Sequence, residues 1–323
     1  MRSRNFFQNI IILLKGMAMG AADVVPGVSG GTIAFISGIY EELIETIHKL
    51  DFGFFKIWKK EGINAAWKRY NFGFLSILFS GILMSILSLA KLITWLLVNH
   101  PIAVWSFFFG LIIASILFIA RQITQWRISS ILAMILAAGF SYFITILEPI
   151  GSPDNTWFLF FAGFIAIIAM ILPGISGAFI LLLLGAYEAI IGTITQFIEG
   201  AMTLDWNLFS EALIKLIVFA LGAIIGLKAF SRVLNWMFKH HKNIILTVLT
   251  GFMIGALNKI WPWKEVLKYR INHSGEEVPF LERSILPDNY EGNAQLLYAL
   301  IFLVLGFLTI FILERVATIK KKA

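Results

Sequence analysis

Long apolar stretches alternate with short polar ones along the whole chain, and this pattern predicts a bundle of helices inside a lipid bilayer. About ten stretches approach or reach the roughly 20 apolar residues that a helix needs to cross the hydrocarbon core. Five lie in each half, at residues 6–22, 29–47, 72–98, 101–120 and 129–147, and at 156–172, 174–198, 211–237, 243–260 and 295–313. The predicted fold class is an all-α integral membrane protein with about ten hydrophobic helical segments.

A proline-glycine pair interrupts the apolar pattern at a similar place in each half. The first motif is Pro26-Gly27-Val28-Ser29-Gly30-Gly31, and the second is Pro173-Gly174-Ile175-Ser176-Gly177-Ala178. Proline removes a helical hydrogen bond and glycine weakens a helix, so neither motif fits inside an unbroken helix. Each motif therefore predicts a broken helix or a re-entrant pair, an irregularity tolerated in a membrane only where protein, water or a ligand satisfies the backbone.

The two motifs belong to an internal repeat. With an offset of 147, residues 26–47 and 173–194 are identical at 11 of 22 positions, where roughly two matches are expected by chance. The matches include polar residues and a glycine, namely Ser29/Ser176, Gly38/Gly185, Tyr40/Tyr187, Glu41/Glu188 and Thr46/Thr193. A second block aligns with an offset of 141, through Gly81/Gly222, Lys91/Arg232, Trp95/Trp236, His100/His241 and Gly110/Gly251.

The repeat divides the chain into residues 1–147 and 148–323. Each half has five segments, or three crossings if its broken pair is re-entrant, and both numbers are odd. An odd number of crossings inverts the second half relative to the first, as in many secondary transporters. The sequence therefore predicts two inverted five-segment repeats.

Composition supports the membrane prediction and gives an orientation. The 323 residues are 59% hydrophobic and 14% charged, which is too little charge for a globular surface. The net charge of +7 comes from basic residues between the apolar segments, so nucleic-acid binding is not expected. Positive loops face the cytoplasm, which predicts a multi-pass membrane protein with both termini inside. Residues 48–71, rich in lysine and aromatics, are predicted to lie on anionic lipid, and residues 261–294 form an extracytoplasmic loop.

The broken segments predict an anion site. Small residues let a ligand approach the backbone, and the free N–H groups of the second half-helix point into the break beside a serine hydroxyl. The phosphate-binding candidates in the motifs are Gly27, Ser29, Gly30, Gly31, Thr32, Gly174, Ser176 and Gly177. The alternative is that the motifs only kink the helices and aid packing. Their duplication at equivalent places favours a binding site.

Charged residues inside the apolar segments are the second clue, because they are costly in lipid and usually face the bundle interior. The repeat mates Lys91 and Arg232 are candidates to neutralise a bound anion, unless they extend to the membrane surface. Asp23, Glu41 and Glu188 are candidates for a coupling or charge network, and the two glutamates could instead form ion pairs. Asp23 has no acidic counterpart, because Met170 occupies the equivalent position.

Other functions find little support in the sequence. Cysteine is absent, which excludes disulfides, thiolate catalysis and cysteine-ligated metals. Neighbouring His240 and His241 lie in a predicted loop without the further ligands that a metal needs. No catalytic constellation is recognisable, so we expect neither an enzyme nor a resident cofactor or metal.

The segment from Gly20 to Thr32, with Gly38-Ile39-Tyr40-Glu41 beyond it and the second motif in the other half, resembles the bacterial polyprenyl-phosphate transporter family, formerly a domain of unknown function. The resemblance covers nearly the whole chain. It implies a flippase that returns undecaprenyl phosphate, the lipid carrier of cell-wall precursors, from the outer to the inner leaflet, coupled to an ion gradient. The implied partners are the polyprenyl-phosphate lipid, membrane lipids and a coupling proton or sodium ion.

Two alternatives remain open at this stage. One is an ion-coupled transporter of a small soluble anion, which would need an enclosed aqueous chamber where a lipid substrate needs a lateral opening. The other is a non-transporting lipid-binding membrane protein. The sequence is also compatible with a homo-oligomer.

Overall fold

A computed structural model describes residues 4–25, 28–51, 53–148, 155–271 and 277–322. The described chain is predominantly helical. Its elements are α1 (Phe6–Asp23), α2 (Gly30–Ile36), α3 (Tyr40–Lys49), α4 (Gly53–Glu61), α5 (Ile63–Arg69), α6 (Phe72–Asn99), α7 (Pro101–Ala120), α8 (Ile128–Ile146), α9 (Thr156–Ile171), α10 (Gly177–Leu183), α11 (Ala186–Thr203), α12 (Trp206–His240), α13 (Lys242–Ala256), β1 (Lys264–Ile271), β2 (Glu277–Ser284), a short 3-10 helix (Pro287–Asn289) and α14 (Leu296–Lys322).

Membrane-length helices confirm a multi-pass membrane protein. Within the described residues, α6, α7, α8 and α12 are each long and apolar enough to cross a bilayer, while α9, α13 and the described apolar part of α14 are shorter. Large apolar side chains on these helices face outward, with Leu87 83% and Leu136 73% exposed. Such surfaces are stable against lipid and unstable against water.

Two of the predicted segments are not single helices. Residues 29–47 divide into α2 and α3, and residues 174–198 divide into α10 and α11. Glycine with positive φ marks both divisions, at Gly38 (φ +73°) and Gly185 (φ +68°), a conformation that other residues rarely adopt. The axes of α10 and α11 differ by 103°. The prediction of a continuous helix after each motif was therefore wrong.

One end of the bundle, called the N-terminal end below, contains the start of α1. Arg4 forms an ion pair with Glu42 of α3, and Asn71, which precedes α6, donates to the same carboxylate at 2.8 Å. Lys242 at the start of α13 contacts Glu41 at 2.6 Å. The start of α1 and the first turn of α3 therefore lie at the same end of the bundle.

The opposite end, called the hairpin end, contains the antiparallel strands β1 and β2. Lys268 of β1 contacts Glu148, just after α8, at 3.1 Å. The indole N–H of Trp261 donates to the Ile285 carbonyl and that of Trp263 to the Ala294 carbonyl, both at 2.8 Å. The predicted loop 261–294 thus contains a β-hairpin fixed to the helical bundle, which the sequence did not predict.

The segment predicted to lie on anionic lipid forms α4 and α5 at the N-terminal end. Its lysines, including Lys56, Lys59 and Lys60, are exposed. Its aromatic side chains contact one another, with Phe54 within 5.3–6.1 Å of the Phe72 and Trp58 rings. An amphipathic arrangement of this kind suits a membrane surface, and the binding of anionic lipid stays a prediction.

Glycines allow the helices to approach closely where they cross. α1 packs along α6, α9 along α12, α8 along α13 and α7 along α14. A Cβ atom on Gly306 of α14 would fall on the Phe107 carbonyl oxygen of α7, and one on Gly110 would fall on the Leu303 carbonyl oxygen. Small residues at such crossings are the usual basis of helix association in membranes.

Replacing Gly306 by alanine is expected to lower the free energy of unfolding by about 1–3 kcal/mol, because the added methyl group pushes α7 and α14 apart. Thermal unfolding of the purified protein in detergent measures the effect. Gly139→Ala in α8 is the matched control, since its added Cβ would meet nothing within 4 Å. Equal stability of the two variants would contradict the role given to this crossing.

Candidate functional site

The two motif breaks contact each other in the buried centre of the protein. The backbone N–H of Gly174, in the second break, donates to the Thr32 hydroxyl of α2 at 3.0 Å. The Ser29 hydroxyl, in the first break, donates to the Met170 carbonyl near the end of α9, also at 3.0 Å. Side chains of the first break therefore satisfy backbone groups at the second, about 140 residues later in the sequence.

Tyr40 adds a third hydrogen bond between the breaks. Its hydroxyl donates to the Ile171 carbonyl at 3.1 Å, and its ring is fully buried against Phe35 and Phe238. Met170 and Ile171 lie in the last turn of α9, where carbonyl groups have no partner within the helix. The side chains of the first motif region thus complete the end of the helix that precedes the second motif.

Asp23 and Ser29 cap the start of α2. The Ser29 Oγ accepts from the Gly31 N–H at 3.1 Å, and the Asp23 carboxylate accepts from the Gly30 N–H at 2.6 Å. Two of the N–H groups assigned to an anion from the sequence are therefore bound to side chains of the protein itself. The candidate Gly27, like Pro26, lies outside the described residues.

Glycine is required where the breaks touch. A Cβ atom on Gly31 would lie 2.6 Å from the Ile171 carbonyl oxygen and 2.9 Å from that of Met170. Gly174 has φ +88°, and its Cβ position would lie 2.8 Å from the Phe252 carbonyl oxygen of α13. The small residues of both motifs thus allow close contact with protein backbone, which is the packing role that the sequence left open as the alternative.

The second motif has a weaker internal cap. Ser176 precedes α10 and accepts from the Phe179 N–H at 3.5 Å. The Cβ position of Gly177 would lie 2.7 Å from the Ala166 carbonyl oxygen, so α10 folds back tightly against α9. Both half-helices, α2 and α10, contain only seven residues, so their helix dipoles are small. An anion at either break would therefore be bound mainly by individual N–H groups and hydroxyls.

The breaks are closed to the surroundings in this conformation. Ser29 is 1% exposed, Thr32 is fully buried, and Ser176 is 6% exposed. Each is hydrogen-bonded, as buried polar groups should be: Ser29 to the Met170 carbonyl, Thr32 to the Gly174 N–H and Ser176 to the Phe179 N–H. A ligand can reach them only after the two breaks separate.

The two cations proposed from the sequence are exposed, whereas the breaks are buried. Lys91 is exposed on α6, where it lines an open groove of about 450 Å³ with Thr94, Trp95, Val98 and Asn99. Arg232 is exposed on α12, close enough to His48 and Lys228 for electrostatic interaction. Within the described chain, neither side chain forms a hydrogen bond to a motif residue.

Two other lysines support the half-helices. Lys15 of α1 donates to the Ser37 carbonyl at the end of α2. Lys228 of α12 donates to the carbonyls of Ile47, His48 and Leu50 at the end of α3. A cation at a helix C-terminus satisfies carbonyls that lack a helical partner. These lysines therefore hold the C-terminal ends of α2 and α3.

The matched glutamates are bound to other groups. Glu41 forms its ion pair with Lys242, and both side chains are about half exposed. Glu188 lies in the first turn of α11 and has an interaction partner. Asp23 contacts the first motif directly, through the Gly30 N–H.

Sequence reasoning missed the hydrogen bonds of Thr32 and Tyr40 across the breaks. The identity of Tyr40 and Tyr187 in the repeat was a signal that position 40 has a specific role. Nothing in the sequence paired Tyr40 with Ile171, because such long-range contacts depend on how the two halves dock.

Replacing Thr32 by valine is expected to lower the free energy of unfolding by about 1–3 kcal/mol, since the buried Gly174 N–H loses its acceptor. Thr32→Ser keeps the hydroxyl and should retain most of the stability. Thermal unfolding of both variants in detergent, compared with the parent protein, tests the contact. A valine variant as stable as the serine variant would show that the contact contributes nothing.

Comparison with known proteins places this chain beside membrane transporters. Residues 19–278 match the model of the VCA0040-like family, described as undecaprenyl phosphate translocase-like. A protein of Vibrio cholerae serotype O1, named polyprenyl-phosphate transporter, is 47% identical over 308 residues, which cover 94% of this chain and 96% of that protein. A Staphylococcus aureus protein of the same name is 32% identical over 267 residues, which cover 78% and 86%. No solved structure matches the chain.

Proposed function

This chain belongs to the VCA0040-like family of undecaprenyl phosphate translocase-like proteins, and we propose that it moves undecaprenyl phosphate across the bacterial cytoplasmic membrane. The lipid is taken from the outer leaflet and returned to the inner leaflet, so that the carrier can be used again. A proton or sodium gradient drives the movement. The chain acts as a transporter, with no chemical change to the lipid.

The contact between the two breaks is the observation that carries this proposal. A lipid phosphate crossing the membrane needs polar groups near the bilayer centre, where hydrocarbon offers none. We propose that the buried contact lies at this depth, where Thr32, Gly174 and Ser29 supply hydroxyl and N–H groups. When the breaks are together these groups bind each other, and when the breaks separate they become free for the phosphate oxygens.

The phosphate-binding groups in the separated state are those of both motifs. They are Gly27, Ser29, Gly30, Gly31 and Thr32 from the first and Gly174, Ser176 and Gly177 from the second. Backbone N–H groups and hydroxyls bind phosphate in many proteins. Lys91 and Arg232 assist from opposite ends of the bundle by attracting the headgroup toward the protein.

We infer that the two halves are inverted repeats, and equivalent glycine contacts support this. Gly81 of α6 faces the Leu13 carbonyl of α1, and Gly222 of α12 faces the Phe160 carbonyl of α9. Leu13 and Phe160 are 147 residues apart, which is the offset of the motifs, while the two glycines are 141 apart. α1 enters from the N-terminal end, whereas α9 follows Glu148, a residue of the hairpin end.

Inversion explains how one protein can bind the lipid from one leaflet and release it into the other. Two related halves of opposite orientation can open alternately on the two sides of the membrane around one site. The positive loops place the N-terminal end in the cytoplasm. The hairpin end then faces outward and receives the lipid.

Asp23 is our candidate for the coupling step. It is the acidic residue of the first motif region and contacts the Gly30 N–H, and its counterpart in the second half is the apolar Met170. A phosphate that binds Gly30 must displace this carboxylate. Binding of a proton or a sodium ion by Asp23 would neutralise the displaced group and so link ion movement to phosphate movement.

The proposal is tested with purified protein in vesicles that contain undecaprenyl phosphate in one leaflet. We expect the headgroup to appear in the other leaflet at a rate that increases with protein content and with an imposed ion gradient. Uptake of inorganic phosphate without movement of the lipid would favour a transporter of a small soluble anion. Binding of the lipid without any movement would favour a non-transporting lipid-binding protein.

A further inference from the structure

Two lysines and one glutamate form a buried cluster at the hairpin end. The Glu282 carboxylate lies 3.5 Å from the Lys259 ammonium group and 3.6 Å from that of Lys264. The lysine side chains are only 14% and 7% exposed, whereas the glutamate is 21% exposed. The carboxylate is thus the most accessible member of the cluster.

Strand geometry directs this cluster toward the bundle. Lys264 begins β1, and Val266, two residues later, lies on the same face of the strand. Glu282 of β2 pairs with Val266, so the side chains of Glu282 and Lys264 are on one face of the hairpin. The neighbouring pair, Glu265 and Arg283, belongs to the other face and forms an exposed ion pair at 2.7 Å. The hairpin therefore has an inner pair and an outer pair of similar chemistry, which differ in burial.

The cluster has more positive than negative charge. Two ammonium groups share one carboxylate, and the buried Lys264 Nζ has no hydrogen-bond partner among the described residues. It lies 3.3 Å from the centre of the Trp105 ring, a cation–π contact that partly replaces the lost water. Burial, more than the charge of Lys259, lowers the pKa of Lys264 to about 7. An additional anion would stabilise this ammonium group.

Glu282 is held in its charged form by the two lysines. Burial raises its pKa, but the nearby charges of Lys264 and Lys259 outweigh that effect and keep the pKa below the usual value. A permanently charged carboxylate between two lysines has the charge and acceptor oxygens of a weak substitute for phosphate. A phosphate dianion, with more charge and more acceptor oxygens, pairs better with two cations.

The cluster adjoins the second broken pair, α10 and α11. The Lys259 ammonium group lies 4.8 Å from the ring centre of Phe179, in the first turn of α10. Trp105, under Lys264, belongs to the first turns of α7. The cluster thus connects the hairpin to the short helix that begins at the second break.

We propose that Lys259 and Lys264 bind the phosphate monoester of an incoming ligand, and that Glu282 occupies this site until the phosphate displaces it. This inference rests on the proposed function, in which the site receives the lipid headgroup before it reaches the breaks. Inorganic phosphate shares the chemistry and serves as a second probe.

A purely structural ion pair predicts a different response to mutation. If the cluster only fixes the hairpin, loss of any of its three charges weakens the hairpin and therefore weakens ligand binding. If Glu282 competes with phosphate, its removal leaves two lysines without their anion and strengthens phosphate binding. Variants of Glu282 and Lys264 should then change the affinity in opposite directions.

The experiment measures the Kd of undecaprenyl phosphate and of inorganic phosphate for the full chain in nanodiscs of zwitterionic lipid. We expect Glu282→Gln to tighten binding about fivefold and Lys264→Met to weaken it by about the same factor. Glu265→Gln and Arg283→Met, which alter the outer pair, are the matched controls and should leave the affinity unchanged. Thermal unfolding of each variant shows whether the hairpin has been destabilised.

The outcomes separate this inference from the proposed function. Opposite shifts for the lipid support a headgroup site, and opposite shifts for inorganic phosphate alone support a site for free phosphate. Weaker binding in both inner variants, or no change in either, overturns the inference even if the parent protein transports the lipid. A parent protein that neither binds nor moves the lipid refutes the proposed function, while the inorganic phosphate measurement still decides the anion site.

Discussion

Gly31→Val is expected to reduce transport of the lipid phosphate at least about tenfold. The added side chain would meet the backbone carbonyls of Ile171 and Met170 within 3 Å, so the two breaks cannot return to their closed contact. Such overpacking typically costs about 1–3 kcal/mol, and about 1.4 kcal/mol corresponds to a factor of ten. The measurement is the initial rate of headgroup movement in vesicles with equal amounts of inserted protein.

Gly192→Val in α11 is the control for this substitution. A Cβ atom at Gly192 would have nothing within 4 Å, so the same change in side chain there should leave transport near the parent rate. Gly31→Ala should give an intermediate rate, because its single methyl group makes the smaller clash. Parent rates in Gly31→Val would mean that closure of the breaks is not part of the transport cycle.

Asp23→Asn is expected to remove the response of transport to the coupling ion. Asparagine has nearly the same size and can still accept from the Gly30 N–H, but it cannot bind and release a proton and is a poorer ligand for sodium. In the parent protein, the rate should change with the imposed proton or sodium gradient. In the variant, it should be the same with and without that gradient.

Glu41→Gln is the matched control for the loss of an acidic group. Its carboxylate pairs with Lys242 in an exposed position, where an ion pair contributes little. This variant should keep the gradient response of the parent. If Asp23→Asn shows an unchanged pH profile and an unchanged sodium dependence, then the coupling role belongs to another residue.

The helices were predictable from the sequence where a long apolar run ends at a clear signal. α7 was predicted at its observed bounds, because Pro101 starts the run and a polar stretch beginning at Arg121 ends it. The sequence did not reveal the second division in each broken pair, at Gly38 and Gly185. The identity of these two glycines in the repeat was visible, but a helix tolerates a single glycine, so composition alone does not indicate a turn.

The candidate site was predictable only in part. The motif residues were recognised because they break local rules for helices, and the structure brings the two motifs together. Lys91 and Arg232 were grouped with the motifs on the basis of repeat symmetry, which says nothing about distance from the breaks. The cluster of Lys259, Lys264 and Glu282 forms only because the two strands of the hairpin pair in one register, which brings together residues nearly 20 positions apart. The sequence contains no periodic pattern that specifies this register.

Reversible locking of the two breaks tests the central claim most directly. The chain has no cysteine, so the Ser29→Cys/Met170→Cys double variant carries the sole thiol pair, with one thiol on each of two residues that meet where the Ser29 hydroxyl lies 3.0 Å from the Met170 backbone carbonyl. We predict that oxidation stops movement of undecaprenyl phosphate in vesicles and that a reductant restores it, while each single variant is unaffected by the oxidant. Full transport by a fully cross-linked protein would contradict the claim that the phosphate passes between the two breaks.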